Sequence, residues 1–478
     1  MKSIIKNIGL QTIYQILATI TPLITSPYLS RVLGAEGLGV YSYTYSIVNY
    51  FLLFAMLGVT NYGSRAIAMA KDEEEESRLF WEIHSLQILS TLAMILLYAI
   101  LIFGVIQNNR NVSTLQVFWL LACGVDVNWF FFGKEEFKTT VTRNIVFKIL
   151  TVVAIFVLVR SKEDVLLYTG IMAMGNFAAQ IALYTVLFKK VKFTKPTFTG
   201  IIQHLIPNVL LFIPILAASF CSIMGKTMLG IFSDNHESGF YYSADKIIWI
   251  PLSIISGIGT VMLPKISAMK AKGEEQETRK LFNVSLNVFT CLAVAMSFGL
   301  AAVAAEFVPF FFGPGYETCI DLIILMAPVM VFQTLSNIIR TQYLIPYNKE
   351  KIYIIAVFAG APIAFALNML LIAGLRIGAL GAATGALITE LVVCLVQYAM
   401  CQKELKVFKQ LRCLVPYCLF GFVMFWLIRK VALLDASLFV KLLIEIAAGV
   451  IVYVALVAIY LVLVKKCSLK KMISALKK

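Results

Sequence analysis

The chain has 478 residues, 60% of them hydrophobic and only 14% charged, with a formal net charge of +15 and a mean hydropathy of +0.87. Soluble domains run about 45–50% apolar and about 25% charged, so this composition excludes a soluble globule. The sequence reads as an all-α polytopic membrane protein, because apolar runs of about 18 or more residues are long enough, at 1.5 Å per residue, to cross a 30 Å hydrocarbon core.

The opening MKSIIKNIGLQTIYQ feeds straight into an apolar run, 8–28, with no small-residue cleavage site behind a short core. It reads as the first span rather than a cleavable signal. Further runs follow at 40–62, 82–106, 114–132, 145–160 and 165–188. The stretch KKVKFTKPTFTG, 189–200, is basic and broken by Pro196. Beyond it come 201–223, 240–263, 281–305, 320–340, 350–373 and 378–400, then 412–429 and 439–464, fourteen runs in all. The fifth is short and the seventh contains Pro207 and Pro214. KDEEEES, 71–77, reads as a solvated cytoplasmic loop or a helix start.

Charge tests the count. With the amino terminus inside, the inner segments hold 31 of the 41 Lys and Arg, from KSIIK to the tail KKCSLKKMISALKK. The outer segments hold nine, among them Arg31, Lys226 and Arg429, and Lys246 falls within a span. That alternation follows the positive-inside rule and sets both termini in the cytoplasm. It also accounts for the net charge without a nucleic-acid partner. The basic tail would attract anionic lipid headgroups.

The nine cysteines sit mostly in apolar runs with no C-x-x-C, as small packing residues do. His84, His204 and His236 are too scattered to suggest a metal site. GKT at Gly225–Thr227 lacks the glycine a phosphate-binding loop requires, Phe220 standing in its place. No catalytic constellation or cofactor motif emerges, so an enzyme is not expected.

An internal repeat organises the runs. RVLGAEGLGVYS at 31–42 echoes KTMLGIFSDNHESGFYYS at 226–243, with Gly39 and Gly239 200 residues apart. FKTTVTR (137–143) echoes YLIPYNK (343–349), and GNFAAQIALY from Gly175 echoes GAATGALITE from Gly381, each 206 apart. An offset of six spans preserves orientation, which is a parallel repeat. The expected organisation is an N-lobe at 1–190 (helices 1–6), a cytoplasmic linker at 191–200, a C-lobe at 201–402 (helices 7–12), and two extra helices with a basic tail at 403–478. Two lobes around a cavity suit alternating access.

The stretches PLITSPYLSRVLGAEGLGVYSYTYSIVNYF, NYGSRAIA and VDVNWFFFGKEEFKTTVTRNIVFKIL closely resemble the O-antigen and capsule repeat-unit flippases. These form the polysaccharide-exporter branch of the multidrug/oligosaccharidyl-lipid/polysaccharide (MOP) superfamily. The resemblance runs over essentially the whole chain and is densest in residues 20–150. It implies a fourteen-helix, two-lobed fold and a lipid-linked oligosaccharide substrate, a few sugars on undecaprenyl diphosphate, moved from the cytoplasmic to the outer leaflet. A polysaccharide polymerase or glycosyltransferases would be possible partners, membrane lipids the surroundings, and a monomer the default state. A multidrug-type cation antiporter of the same superfamily is the alternative. A membrane-embedded glycan polymerase would need a large outer loop, and no outer segment exceeds roughly twenty residues.

Moving a diphosphate through hydrocarbon demands positive charge in a hydrated cavity, since a charge at the bilayer centre costs several kcal/mol. Arg31 and Lys226, equivalent in the repeat, could clamp the diphosphate or simply snorkel to headgroups. Lys246 is the next cationic candidate. Its neighbour Asp245 points about 100° away on a helix, so each needs a partner elsewhere. Asp126 and Glu390 are candidate ion or proton carriers, with a structural hydrogen bond as the other reading. Arg65 would stand at the cytoplasmic mouth or serve as a positive-inside anchor. The aromatic run Trp129–Phe132 reads as an interfacial anchor, and the G-x-x-x-G spacings at 374–378 and 381–385 as close helix packing.

Overall fold

The computed structural model describes residues 2–405, 412, 414–433 and 436–463. The basic tail at 465–478, together with Lys406 and Lys409, lies outside them. Every element among the described residues is helical. In chain order these are α1 (Lys2–Val32), α2 (Gly34–Met56), α3 (Val59–Ala68), α4 (Glu73–Gly104), α5 (Arg110–Leu115), α6 (Val117–Gly124), α7 (Asn128–Gly133), α8 (Phe137–Leu158), α9 (Val165–Ala182) and α10 (Tyr184–Leu187). They continue with α11 (Phe198–Gln203), α12 (Leu205–Phe232), α13 (Asn235–Ala271), α14 (Glu275–Phe311), α15 (Thr318–Met326), α16 (Val329–Ile339), α17 (Glu350–Asn368), α18 (Ala379–Leu405), α19 (Leu414–Val431) and α20 (Leu438–Leu463).

Helices form at all fourteen expected positions, some of them interrupted. Twelve stretches are long and apolar enough to cross a membrane. The other two positions, α1 and α13, are helices of 31 and 37 residues that are not among those twelve. Most helices outrun their apolar cores. The short fifth run, 145–160, becomes the 22-residue α8, which starts eight residues earlier at Phe137. The acidic stretch at 71–77 is a helix start. Asp72 caps α4 by accepting the Glu75 amide at 2.8 Å, and Glu73–Glu76 place negative charge against the positive end of the helix dipole.

By compactness the chain divides into two units, Met1–Ser243 with Ala364–Ala382, and Ala244–Ile363 with Ala383–Lys478. In the first unit, Gly34 at φ +70 turns the chain from α1 into α2. From there α2 packs on α4, α6 and α12. It also meets the start of α13 so closely that a Cβ on Gly39 would fall 1.7 Å from the Asn235 carbonyl oxygen, and one on Gly239 would fall 1.8 Å from that of Ala35. The two glycines paired by the sequence repeat therefore pack against each other, backbone on backbone. Further along, Gly378 at φ +65 brings the Glu237 carboxylate onto the amide of Ala379 at 2.5 Å, capping α18. The first of the two G-x-x-x-G spacings thus serves a turn and a cap.

In the second unit α14 is the hub, packed on α15, α16, α19 and α20. Phe282, Leu286, Phe289, Ala293 and Val294 on α14 join Leu335, Ile339, Tyr398 and Tyr417 in one buried core cluster. A π-helical turn at Arg340–Leu344 ends α16.

Placing a larger side chain at the Gly39–Gly239 crossing forces two backbones apart, and overpacking commonly costs 1–3 kcal/mol or more. Gly39→Leu and Gly239→Val are expected to abolish the monodisperse peak of detergent-extracted protein. Gly104→Ala, where a Cβ meets nothing within 4 Å, is expected to leave it unchanged.

Candidate functional site

The fourth span is not a continuous helix. It breaks at Gln116 and again at Val125–Val127, and in hydrocarbon the freed backbone groups need partners from the protein. Gln87 on α4, fully buried, supplies them: its Nε2 donates to the carbonyls of Cys123 at 2.5 Å and Asp126 at 2.9 Å. Its Oε1 accepts from the Trp129 indole at 3.1 Å. Gln116 donates to Thr44 Oγ1 at 3.0 Å across to α2.

Asp126 sits in the second break, two residues before Asn128 at the start of α7. Its Oδ1 accepts from the Asn128 amide at 2.8 Å and from Asn128 Nδ2 at 2.7 Å. Asn128 and Gln180 then hold a buried cation, with Arg143 Nη2 donating to Asn128 Oδ1 at 2.5 Å and Nη1 to Gln180 Oε1 at 3.1 Å. Arg143 is 8% exposed, and its charge acts on Asp126. The structure thus engages Asp126 in hydrogen bonds, beside a cation, Arg143, that the sequence reading did not single out. The clue was α8 itself, whose helical register begins two turns before its apolar run.

The same motif turns its aromatics inward. Trp129, Phe130 and Phe131 are each at most 1% exposed and pack with Val59, Phe80 and Leu183. They are core, and the interfacial-anchor reading is corrected, because the break at 125–127 reorients α7. Gly63 of NYGSRAIA makes room for the Trp129 ring, since a Cβ there would lie 2.5 Å from it. A second buried cluster joins Glu82 on α4 to His204 Nε2 at 3.2 Å, while the Tyr62 hydroxyl meets His204 Nδ1 at 2.7 Å. Neither Glu82 nor the pairing of His204 was anticipated.

The remaining candidates lie on other helices. Arg31 is exposed at the last turn of α1, where Nη1 donates to the Pro27 carbonyl at 2.9 Å. Lys226 is half-buried within α12, its ammonium 6.0 Å from the Tyr242 ring centre. Tyr242 belongs to a cluster with Tyr41, Tyr45 and Tyr168, so a cation stands at the edge of an aromatic platform. In the second unit Asp245 is buried, Lys246 half-buried, and Glu390 half-buried on α18. Arg65 is exposed on the last turn of α3.

A family model described as polysaccharide biosynthesis protein matches residues 4–270. A curated Escherichia coli (strain K12) protein, "Putative O-antigen transporter", is 24% identical over 335 residues, covering 69% of this chain and 80% of that one. Among solved structures, "Lipid II flippase MurJ, inward closed conformation" superposes with a TM-score of 0.71 at 16% identity, covering 96% of this chain and 99% of that chain. An inward-facing multidrug resistance MATE family transporter of the MOP superfamily superposes with a TM-score of 0.61 at 12% identity, covering 82% and 99%. These structural likenesses show the fold, an all-α fold like that of those two structures.

Removing one partner from a buried charged network costs about 3–5 kcal/mol. Arg143→Met is therefore expected to lower the melting temperature of the purified protein by several degrees. Arg65→Ala, on an exposed face, is expected to leave it within about 1 °C. Differential scanning fluorimetry reads both.

Proposed function

The chain belongs to the polysaccharide biosynthesis protein family, and on that premise we propose that it is a flippase. It moves undecaprenyl-diphosphate-linked oligosaccharide repeat units from the inner to the outer leaflet, by alternating access, for cell-surface polysaccharide. The family match over more than half of the chain carries this reading, and the superfamily fold supports it. Its setting is a bacterial plasma membrane with both termini cytoplasmic. A monomer is proposed, working beside a polymerase or glycosyltransferases that make and consume its substrate.

The diphosphate would be met by Arg31, Lys226 and Lys246. A cation lowers the cost of carrying phosphate charge into a low-dielectric space, while the prenyl chain stays in lipid. Lys226 suits the task by its place: it is half-buried within α12, with its ammonium 6.0 Å from the Tyr242 ring centre, beside the tyrosine cluster. Arg31 adds a permanent charge with planar donors. Asp126, Asp245, Glu390 and Arg65 are proposed to tune the path or its coupling. The proposed parallel repeat would give the two lobes the same orientation, as rocking between inward- and outward-facing states requires.

A strain lacking this protein is expected to lose surface glycan and to accumulate lipid-linked repeat units on the cytoplasmic side. Surface glycan that persists without it would overturn the flippase reading. Lys226→Ala and Lys246→Ala, at matched membrane levels, are expected to cut restored glycan about tenfold or more, the loss of one charge-assisted contact. Arg31→Ala is expected to do the same. Full restoration by all three would leave the flippase and remove the clamp.

A further inference from the structure

Helices α14, α19 and α20 pack on one another in the second unit, and they gather charge where their apolar faces meet. Arg429 on α19 donates through Nη1 to Glu306 Oε2 at 2.8 Å and to the Ala302 carbonyl at 3.1 Å. Glu445 stands on the buried seam of α20, in helical register with Leu442, Gly449 and Tyr453. It is 0% exposed, and neither carboxylate oxygen has a hydrogen-bond partner. Its charged neighbours are Glu306 from α14, Arg429 from α19, and Lys441 one turn back on α20 itself.

Charge counting decides the state of this cluster. Arg429 is committed to Glu306. Lys441 is half-buried and makes no ion pair among the described residues. Lys430 lies 5.4 Å from the centre of the Trp426 ring. Tyr453 spends its hydroxyl on the Cys291 carbonyl at 3.0 Å. One bonded guanidinium, with the Lys441 ammonium a turn away, therefore faces two carboxylates, and the second of these is enclosed without a hydrogen-bond donor. An ionised carboxylate so placed is strongly disfavoured and neutralises by taking a proton; two carboxyls that share a site do not both ionise.

We propose that Glu445 is a proton-binding site: Glu306 and Glu445 together hold one proton beside Arg429, on the side of the membrane that the charge pattern assigns to the outside. Glu306 keeps its charge because Arg429 is bonded to it, and Glu445 carries the proton. The proposal concerns this helix cluster alone and does not depend on which lipid-linked substrate is moved.

The test is infrared spectroscopy of the purified full-length protein in lipid nanodiscs, recorded as a pH series and read for the carbonyl stretch of a protonated carboxylic acid. Wild type is expected to show that band at neutral pH, and Glu445→Gln to lose it. Glutamine is isosteric with the neutral acid, so this variant should melt within about 2 °C of wild type. Glu306→Gln leaves Glu445 as the counter-ion of Arg429 and is expected to lose the band as well. A band that survives Glu445→Gln, or a wild type without one, overturns the proposal. Retention of the band in Glu306→Gln overturns the sharing. A Glu445→Gln variant that melts far below wild type would show an ionised, structural glutamate instead.

Discussion

Hydrocarbon offers no hydrogen bonds, so every polar group placed at membrane depth must find its partner within the protein. The interrupted fourth span shows how far that constraint reaches. Breaking a helix at Val125–Val127 frees backbone groups, and Gln87, invested from α4, takes up two of the carbonyls. Asp126 accepts from the Asn128 amide, Asn128 turns to Arg143, and Gln180 closes the set from α9. Four separate elements are thereby tied to one break. The charged end of the motif is tied as well, Lys134 to Glu76 at 2.8 Å and Glu136 to Lys190 at 2.7 Å. Those last pairs are partly exposed and contribute little energy each. The buried part is the lock.

Close backbone approach is the second device, and it depends on the first. An apolar surface gives membrane helices no hydrophobic reason to prefer one neighbour, so small residues and exact fit choose the partner. At the Gly39–Gly239 crossing a single methyl would collide with carbonyl oxygens on both sides. Thr227 on α12 adds a hydroxyl contact to Ser46 on α2 at 2.9 Å. The stretch RVLGAEGLGVYS is thus a turn followed by a contact face, which explains why glycines interrupt so apolar a sequence.

Much of this was legible before any coordinates. Run lengths placed helices at fourteen positions, and the glycine spacing identified two residues that turn out to touch. Other features were hidden for physical reasons. Charge counting treats an arginine between apolar runs as loop, yet helices extend past their apolar cores: α14 has 37 residues, about 56 Å, where about 30 Å spans the hydrocarbon. Arg143 falls in such an extension. The aromatic run at 129–131 has the composition of an interfacial belt, and only the break beside it decides that it faces inward. Glu445 was invisible for another reason. A lone glutamate in an apolar helix is an oddity in one dimension, and its meaning depends on Glu306 and Arg429, which lie 139 and 16 residues away.

The two kinds of buried charge obey different rules, and the difference bears on transport. Arg143 is bonded on both ends of its guanidinium, so moving it would strand Asn128 and Gln180 in a low-dielectric interior where unpaired groups are costly. Such a group is fixed through any cycle. Lys226 stands 6.0 Å from the Tyr242 ring centre, and as the proposed diphosphate contact it would exchange its resting partners for a charge-assisted bond of about 1.5–3 kcal/mol. A carrier needs that exchange to be nearly balanced. A cation bound too well at rest would ignore its substrate, while one left bare would be too costly to keep out of water. On the proposed function Lys226, beside its aromatic cluster, is the cation that has to meet both demands, whereas Arg143 answers only to the fold.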